Sequence, residues 1–154
     1  MPKPSPIFYT QSGFKTLQEE FDALEVKRPE YVNELAKAAE MGDRSENAAY
    51  KYAKQRLRQT DSRIRYLQKL LNRAVIVKAS QSEFVEIGST VTLKKGEIEI
   101  TYQIVGGNES DPSKGLLSYQ SPLGQVLLRK KVGDEALLKL EERSILYAIV
   151  KISV

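Results

Sequence analysis

Gly42-Asp43-Arg44-Ser45-Glu46-Asn47-Ala48-Ala49-Tyr50 stands at the midpoint of two apolar repeats of the same period. Before it, Phe14, Leu17, Phe21, Leu24, Tyr31, Leu35 and Ala38 keep the alternating spacing of a coiled-coil seam. After it, Tyr50, Ala53, Leu57, Thr60, Ile64, Leu67 and Leu71 do the same. Two arms of nearly equal length that meet at a polar turn predict an antiparallel helical hairpin, because neither helix could bury its stripe alone. Arms of roughly 28 residues give a rod of about 40–45 Å. Two slots are weak: Thr60, and Arg28 where the register asks for an apolar residue. Pro29 beside Arg28 removes a backbone donor and predicts a kink or a local loosening.

The turn at the far end of this rod carries two carboxylates, Asp43 and Glu46. One reading of them is structural. Asp43 then caps the second helix with Glu46 as its capping-box partner, and Gly42 closes the first helix in a left-handed conformation. The other reading is chemical. A hard cation such as Mg²⁺ takes one or two protein carboxylates and fills its remaining positions with water or phosphate. Both can hold together, since a capping acid at an exposed tip still presents free oxygens.

Charge is uneven along the chain. Residues 1–78 hold fifteen Lys or Arg against ten Asp or Glu, whereas residues 79–154 hold nine against ten. Residues 51–73 carry eight basic side chains and one acid, Asp61. At 100° per residue Lys51, Lys54, Arg58, Arg65 and Lys69 fall within an arc of about 60° opposite the seam. A solvated helix face is the plain account of such a run. Solvated faces normally mix signs, however, and Lys54/Arg58 and Arg65/Lys69 are like charges at i,i+4 that repel. The pattern favours phosphate-backbone binding, with Tyr52 free to stack on a base and Tyr50 packed in the seam.

From residue 74 the period changes. Residues 74–78, 90–93, 97–105, 116–119, 136–140 and 145–152 are short β-branched or alternating stretches, separated by Lys95-Gly96, Gly106-Gly107-Asn108 and Asp111-Pro112-Ser113. Ser121-Pro122 reads as the N-cap and first residue of a short helix through Leu128. The expected fold class is α+β: an antiparallel coiled-coil hairpin over residues 1–78, then a small sheet with one helix across it over residues 79–154.

Composition narrows the chemistry. The 154 residues contain no Cys, His or Trp, which excludes disulfides, thiolate or imidazole metal sites, and Cys or His nucleophiles. No apolar run approaches the length of a membrane span and the first residues lack a signal-peptide core, so the expectation is a cytoplasmic protein without a membrane partner.

The tip Gly42-Asp43-Arg44-Ser45-Glu46-Asn47-Ala48, followed by Tyr50-Lys51-Tyr52, resembles that of the bacterial Gre transcript-cleavage factors. The arginine in the tip and the paired tyrosines look more like the GreB branch than the GreA branch. So does Lys54-Gln55-Arg56-Leu57-Arg58 with Asp61-Ser62-Arg63-Ile64-Arg65-Tyr66-Leu67. Thr10-Gln11-Ser12-Gly13-Phe14-Lys15-Thr16-Leu17 fits the family's start of the first helix. The stretch from Ser121-Pro122-Leu123-Gly124 through Leu127-Leu128 to Gly133-Asp134 is similar to its C-terminal signature. The chain departs from the pattern at Ala49, where the family often has an acid, and at Val126, where alanine is usual.

The resemblance implies an FKBP-like C-terminal domain that docks on RNA polymerase beside its secondary channel through Ser121, Pro122, Leu123, Gly124, Leu127 and Leu128. It implies a hairpin that passes down the channel as a monomer. Asp43 and Glu46 would be the catalytic, metal-holding residues, sharing a Mg²⁺ with the polymerase active site. Lys51, Tyr52, Lys54, Arg58, Arg65 and Lys69 would contact the 3′ end of the nascent RNA. The protein alone would not be an enzyme, nor a prolyl isomerase, since fold does not carry function. Two alternatives remain: a channel-binding regulator that does not promote cleavage, and a nucleic-acid-binding coiled coil that needs no polymerase.

Overall fold

The computed structural model describes residues 4–41 and 47–154. They form two compact units. The helical unit, Lys15–Arg73, contains most of α1 (Gln11–Ala39) and all of α2 (Ala48–Arg73). The helices run antiparallel. As α1 advances through Glu20, Arg28, Glu34 and Ala38, its partners on α2 retreat through Arg63, Asp61, Arg56 and Asn47. The seam is where the heptads place it: Leu17, Ala38, Ala53, Thr60, Ile64 and Leu67 are buried, and Tyr31, Leu35, Tyr50 and Leu57 are half-buried. It ends on buried Leu70 rather than on Leu71, because a helix of 3.6 residues per turn drifts against a 3.5 repeat.

Both weak slots are repaired locally. The Thr60 hydroxyl donates to the Arg56 carbonyl at 2.9 Å, so its polar atom is satisfied inside the seam. Arg28 stays exposed and forks onto Asp61, with Nε to Oδ1 at 2.6 Å and Nη2 to Oδ2 at 3.3 Å. Helix α1 continues through Pro29 without interruption.

The second unit joins the chain up to Phe14 with Ala74–Val154. This differs from a division after residue 78, and the cause is a strand absent from the sequence reading. β1 (Ile7–Thr10) pairs in parallel with β2 (Ala74–Val77), Ile7 opposite Ala74 and Thr10 opposite Val77. Parallel neighbours need a long crossover, and the helical hairpin is that crossover. Thr10 then caps α1, its Oγ1 accepting from the Gly13 amide at 3.0 Å.

The five-stranded sheet consists of β3 (Thr90–Lys95), β4 (Ile98–Val105), β5 (Leu116–Ser118), β6 (Glu135–Lys139) and β7 (Ser144–Ser153), in the order β5-β4-β3-β7-β6. Only β4 and β5 are parallel; the other neighbours are antiparallel. Lys95 faces Ile98 across a two-residue turn, and Gly96 supplies the left-handed φ of 61° that such a turn requires. A 3₁₀ turn over Pro112–Lys114 leads into β5. The helix α3 (Pro122–Leu127) covers one face of the sheet, burying Leu123 and Leu127 against Val91, Leu93, Ile104, Tyr147 and Ile149.

Candidate functional site

At the tip end of the hairpin the last turn of α1 tightens, with the Glu40 amide on the Lys37 carbonyl at 3.2 Å and the Met41 amide on the Ala38 carbonyl at 3.3 Å. The cap of α2 is Asn47. Its Oδ1 accepts from the Tyr50 amide at 3.1 Å, and its Nδ2 donates to the Ala38 carbonyl at 2.8 Å. One side chain thus caps the second helix and ties it to the end of the first. The capping box expected at Asp43 and Glu46 is corrected accordingly: Asn47 directly precedes Ala48 and holds the N-cap. Asp43 and Glu46, with Gly42, lie outside the described residues.

The basic side chains of α2 divide into two sets. Arg56 and Arg63 flank the seam and are tied to α1. Arg56 pairs with Glu34, and its guanidinium lies 4.1 Å from the centre of the Tyr31 ring. Arg63 grips Glu20 with both its Nε and Nη2, at 2.7 and 3.0 Å. That hydrogen-bonded fork holds the Glu20 carboxyl below its ordinary value and the Arg63 guanidinium above its own. Arg28 does the same to Asp61, lowering the carboxyl first by hydrogen bonding and then by charge.

Lys51, Lys54, Arg58, Arg65 and Lys69 form the second set. All five are exposed, and none has an ion-pair partner within 4.0 Å among the described residues. Arg65 reaches Ser62 at 3.3 Å, and Lys54 hovers 6.0 Å from the Tyr50 ring. The acids of α1 therefore neutralise the seam-flanking arginines and leave the outer arc positive. Tyr52 is exposed on the flank of that arc with Arg56 over its ring.

The expected docking residues of α3 divide by burial. Leu123 and Leu127 are core side chains, and Leu127 is fully buried. Gly124 is buried because a Cβ there would sit 2.0 Å from the Ser118 carbonyl oxygen; the glycine lets α3 press onto β5. Ser121 caps α3, accepting from the Gly124 amide at 3.0 Å and donating to the Ser118 carbonyl at 2.7 Å. Leu123, Gly124 and Leu127 build the sheet unit from within. Pro122 is exposed and Ser121 and Leu128 are half-buried, so these three reach the surface.

Glu109 belongs to no motif in the sequence, yet it ties two distant segments together. Its carboxylate accepts from the Thr10 amide at 2.9 Å and the Gly106 amide at 2.7 Å, and also from the Thr10 hydroxyl. Asn108 Nδ2 donates to the Tyr9 hydroxyl at 2.8 Å. The turn after β4 thereby clasps β1. No cluster of three or more acidic residues that could hold a metal occurs among the described residues. No described helix is long and apolar enough to cross a membrane.

Residues 7–76 match the family model described as transcription elongation factor, N-terminal, and residues 80–154 match the one described as transcription elongation factor, GreA/GreB, C-term. The transcription elongation factor GreA of Nitratiruptor sp. is 42% identical over 93% of this chain and 90% of its own length. The transcription elongation factor GreB of Xanthomonas axonopodis pv. citri is 43% identical over 85% and 81%. The two branches thus stand at like identity to this chain. Among solved structures, GreA factor homolog 1 (Gfh1) of Thermus thermophilus is 25% identical over 97% of this chain and 99% of that one, with a TM-score of 0.45.

Proposed function

The chain belongs to the GreA/GreB family of transcription elongation factors, and from that premise we propose that its hairpin enters the secondary channel of RNA polymerase and promotes cleavage of backtracked nascent RNA. The supporting observation is the cap at Asn47. With Asn47 at the N-cap of α2, that position does not call for Asp43. Two carboxylates are too few for a complete hard-cation site, and they fit a site whose other positions come from water, phosphate and a second protein. Asp43 and Glu46 would hold Mg²⁺ in that shared way. When bound there, the ion would polarise the scissile phosphate and acidify the attacking water.

The rest falls to the chain's own residues. The cross-tied helices keep the tip at the end of a rod about 40 Å long. The exposed arc of Lys51, Lys54, Arg58, Arg65 and Lys69, with Tyr52, meets the extruded RNA 3′ segment. The sheet unit docks on the polymerase surface, with exposed Pro122 and partly exposed Leu128 as contacts. The chain supplies placement and charge, and the bond-breaking chemistry stays with the polymerase.

The test is a stalled, backtracked polymerase complex with labelled RNA. Wild-type protein should shorten the RNA in the complex and leave free RNA intact. The double variant Asp43→Asn, Glu46→Gln should keep its circular dichroism and polymerase binding and lose most of the stimulation. Full stimulation by the variant would overturn the metal role. Polymerase binding without cleavage by the wild type would leave a channel-binding regulator, a reading that Ala49, exposed in the first turn of α2 where the family often carries an acid, makes specific.

A further inference from the structure

Helix α2 carries one three-residue device twice. Arg56 is paired with Glu34 of α1, and its guanidinium lies over the Tyr52 ring at 5.3 Å. Arg63 is gripped by Glu20 of α1, and its guanidinium lies over the Tyr66 ring at 5.4 Å. In each case α1 fixes an arginine and the arginine fixes a tyrosine. Each ring gives one face to a guanidinium, yet Tyr52 remains 63% and Tyr66 46% exposed. The Arg56 Nε is buried without a hydrogen-bond partner among the described residues, so its guanidinium is committed to the rings and to Glu34 rather than to further hydrogen bonds.

The two tyrosines are two heptads apart, which on a helix is about 21 Å along the axis with a rotation of only about 40°. Both stand between the seam-flanking arginines and the arc of exposed lysines and arginines. Each ring presents a flat apolar face, with a polar hydroxyl at its edge, directly beside those cations.

We propose that Tyr52 and Tyr66 are two base-stacking platforms for single-stranded RNA, with Arg56 and Arg63 as the residues that position them. The occupant follows from the combination. Phosphates are met by Lys54, Arg58, Arg65 and Lys69, while an aromatic face beside them takes a base of any sequence. An acidic protein partner would use the charges and leave the rings idle. At about 21 Å the platforms cannot serve adjacent stacked bases, which are about 3.4 Å apart, so the strand between them spans several nucleotides. The proposal rests on the function above only for the identity of the RNA.

The experiment uses the full-length protein and single-stranded RNA bearing 2-aminopurine, first free in low salt and then at the 3′ segment of a backtracked polymerase complex. Stacking on tyrosine quenches the probe. Tyr52→Ala and Tyr66→Ala should each weaken the quenched complex about 5- to 100-fold, and Tyr→Phe at either site should restore it. Arg56→Lys keeps the charge and removes the planar backing; it should reduce quenching with circular dichroism and the salt dependence of binding unchanged. Quenching of free RNA without cleavage stimulation would sink the proposed function and leave the platforms standing. Cleavage stimulation with no quenching, or with quenching untouched by Tyr52→Ala and Tyr66→Ala, would overturn the platforms and leave the function standing.

Discussion

The sheet unit and the hairpin hold themselves together by different means. In the sheet unit ten apolar side chains, Val85 to Ile149, form one contiguous core beneath α3, and five of them show no accessible surface. In the hairpin the burial is a single line along the seam, and the space beside it is bridged by Arg28–Asp61, Arg56–Glu34 and Arg63–Glu20. A core of that kind is sensitive to truncation and indifferent to salt. A two-helix rod cannot grow such a core, because each helix has only one neighbour to bury against. It makes up the difference at its edges with charge. Those edge pairs also set the sign of the outer face, since every acid of α1 spent on Arg56 or Arg63 is one fewer near Lys54 or Arg58.

The largest expected effect is in the sheet unit. Leu127→Ala removes a fully buried side chain between α3 and the sheet. It should cost about 2–5 kcal/mol in urea denaturation, depending on how far the site collapses. The contrast is Val126→Ala, a half-buried neighbour on the same helix, which should cost well under half as much. Equal losses would mean that α3 does not pack as a unit and that the comparison of the two regions is misdrawn.

A middle-sized effect belongs to the tip. Asn47→Ala removes both the cap on Tyr50 and the tie to Ala38. Loss of an N-cap costs about 0.5–2 kcal/mol. Asn47→Asp keeps the cap and loses only the donor to Ala38, so it should recover most of the difference. Helicity measured at 222 nm along a thermal melt separates them. A wild-type melt for Asn47→Ala would return the capping role to the residues before it.

How much of this was legible in the sequence depended on how far apart the partners lie. The seam is readable because seven residues keep its spacing in each arm. The strand boundaries were readable because Gly96, Pro112 and the Gly106-Gly107 pair punctuate them. Strand β1 was not, since four residues directly before a helix carry no period, and their partner strand begins at Ala74. Glu109 looked like one more turn residue, and the backbone it holds at Thr10 is 99 residues away. The cap was misassigned for a local reason. Asp43 and Glu46 have capping-box spacing, while Asn47 immediately before the Ala48-Ala49-Tyr50 run was an equally good start signal. Leu123 and Leu127 stand four apart on a short helix, and that i,i+4 apolar pair already pointed inward rather than to a docking surface.

The smallest effect is the one that tests the polar half of the comparison. Glu20 and Asp61 have carboxyls held below their ordinary values by hydrogen bonds from Arg63 and Arg28. A depressed folded-state pKa means stability that is fully present above the unfolded value and is lost as pH falls through the folded value. The hairpin should therefore weaken as pH drops below about 4.3, where unfolded carboxylates begin to take up protons. Both pairs are well exposed to solvent, so water and salt screen them and their effect on stability is small. Glu20→Gln with Asp61→Asn should lower the melting temperature slightly at pH 7. The difference from wild type should shrink as pH falls through the lowered folded-state values and the wild-type carboxylates take up protons. Raising salt at pH 7 should shrink the gap in the same direction. If the double variant melted like wild type at pH 7 in low salt, the cross-ties would be spectators, and the thin seam alone would have to carry the rod.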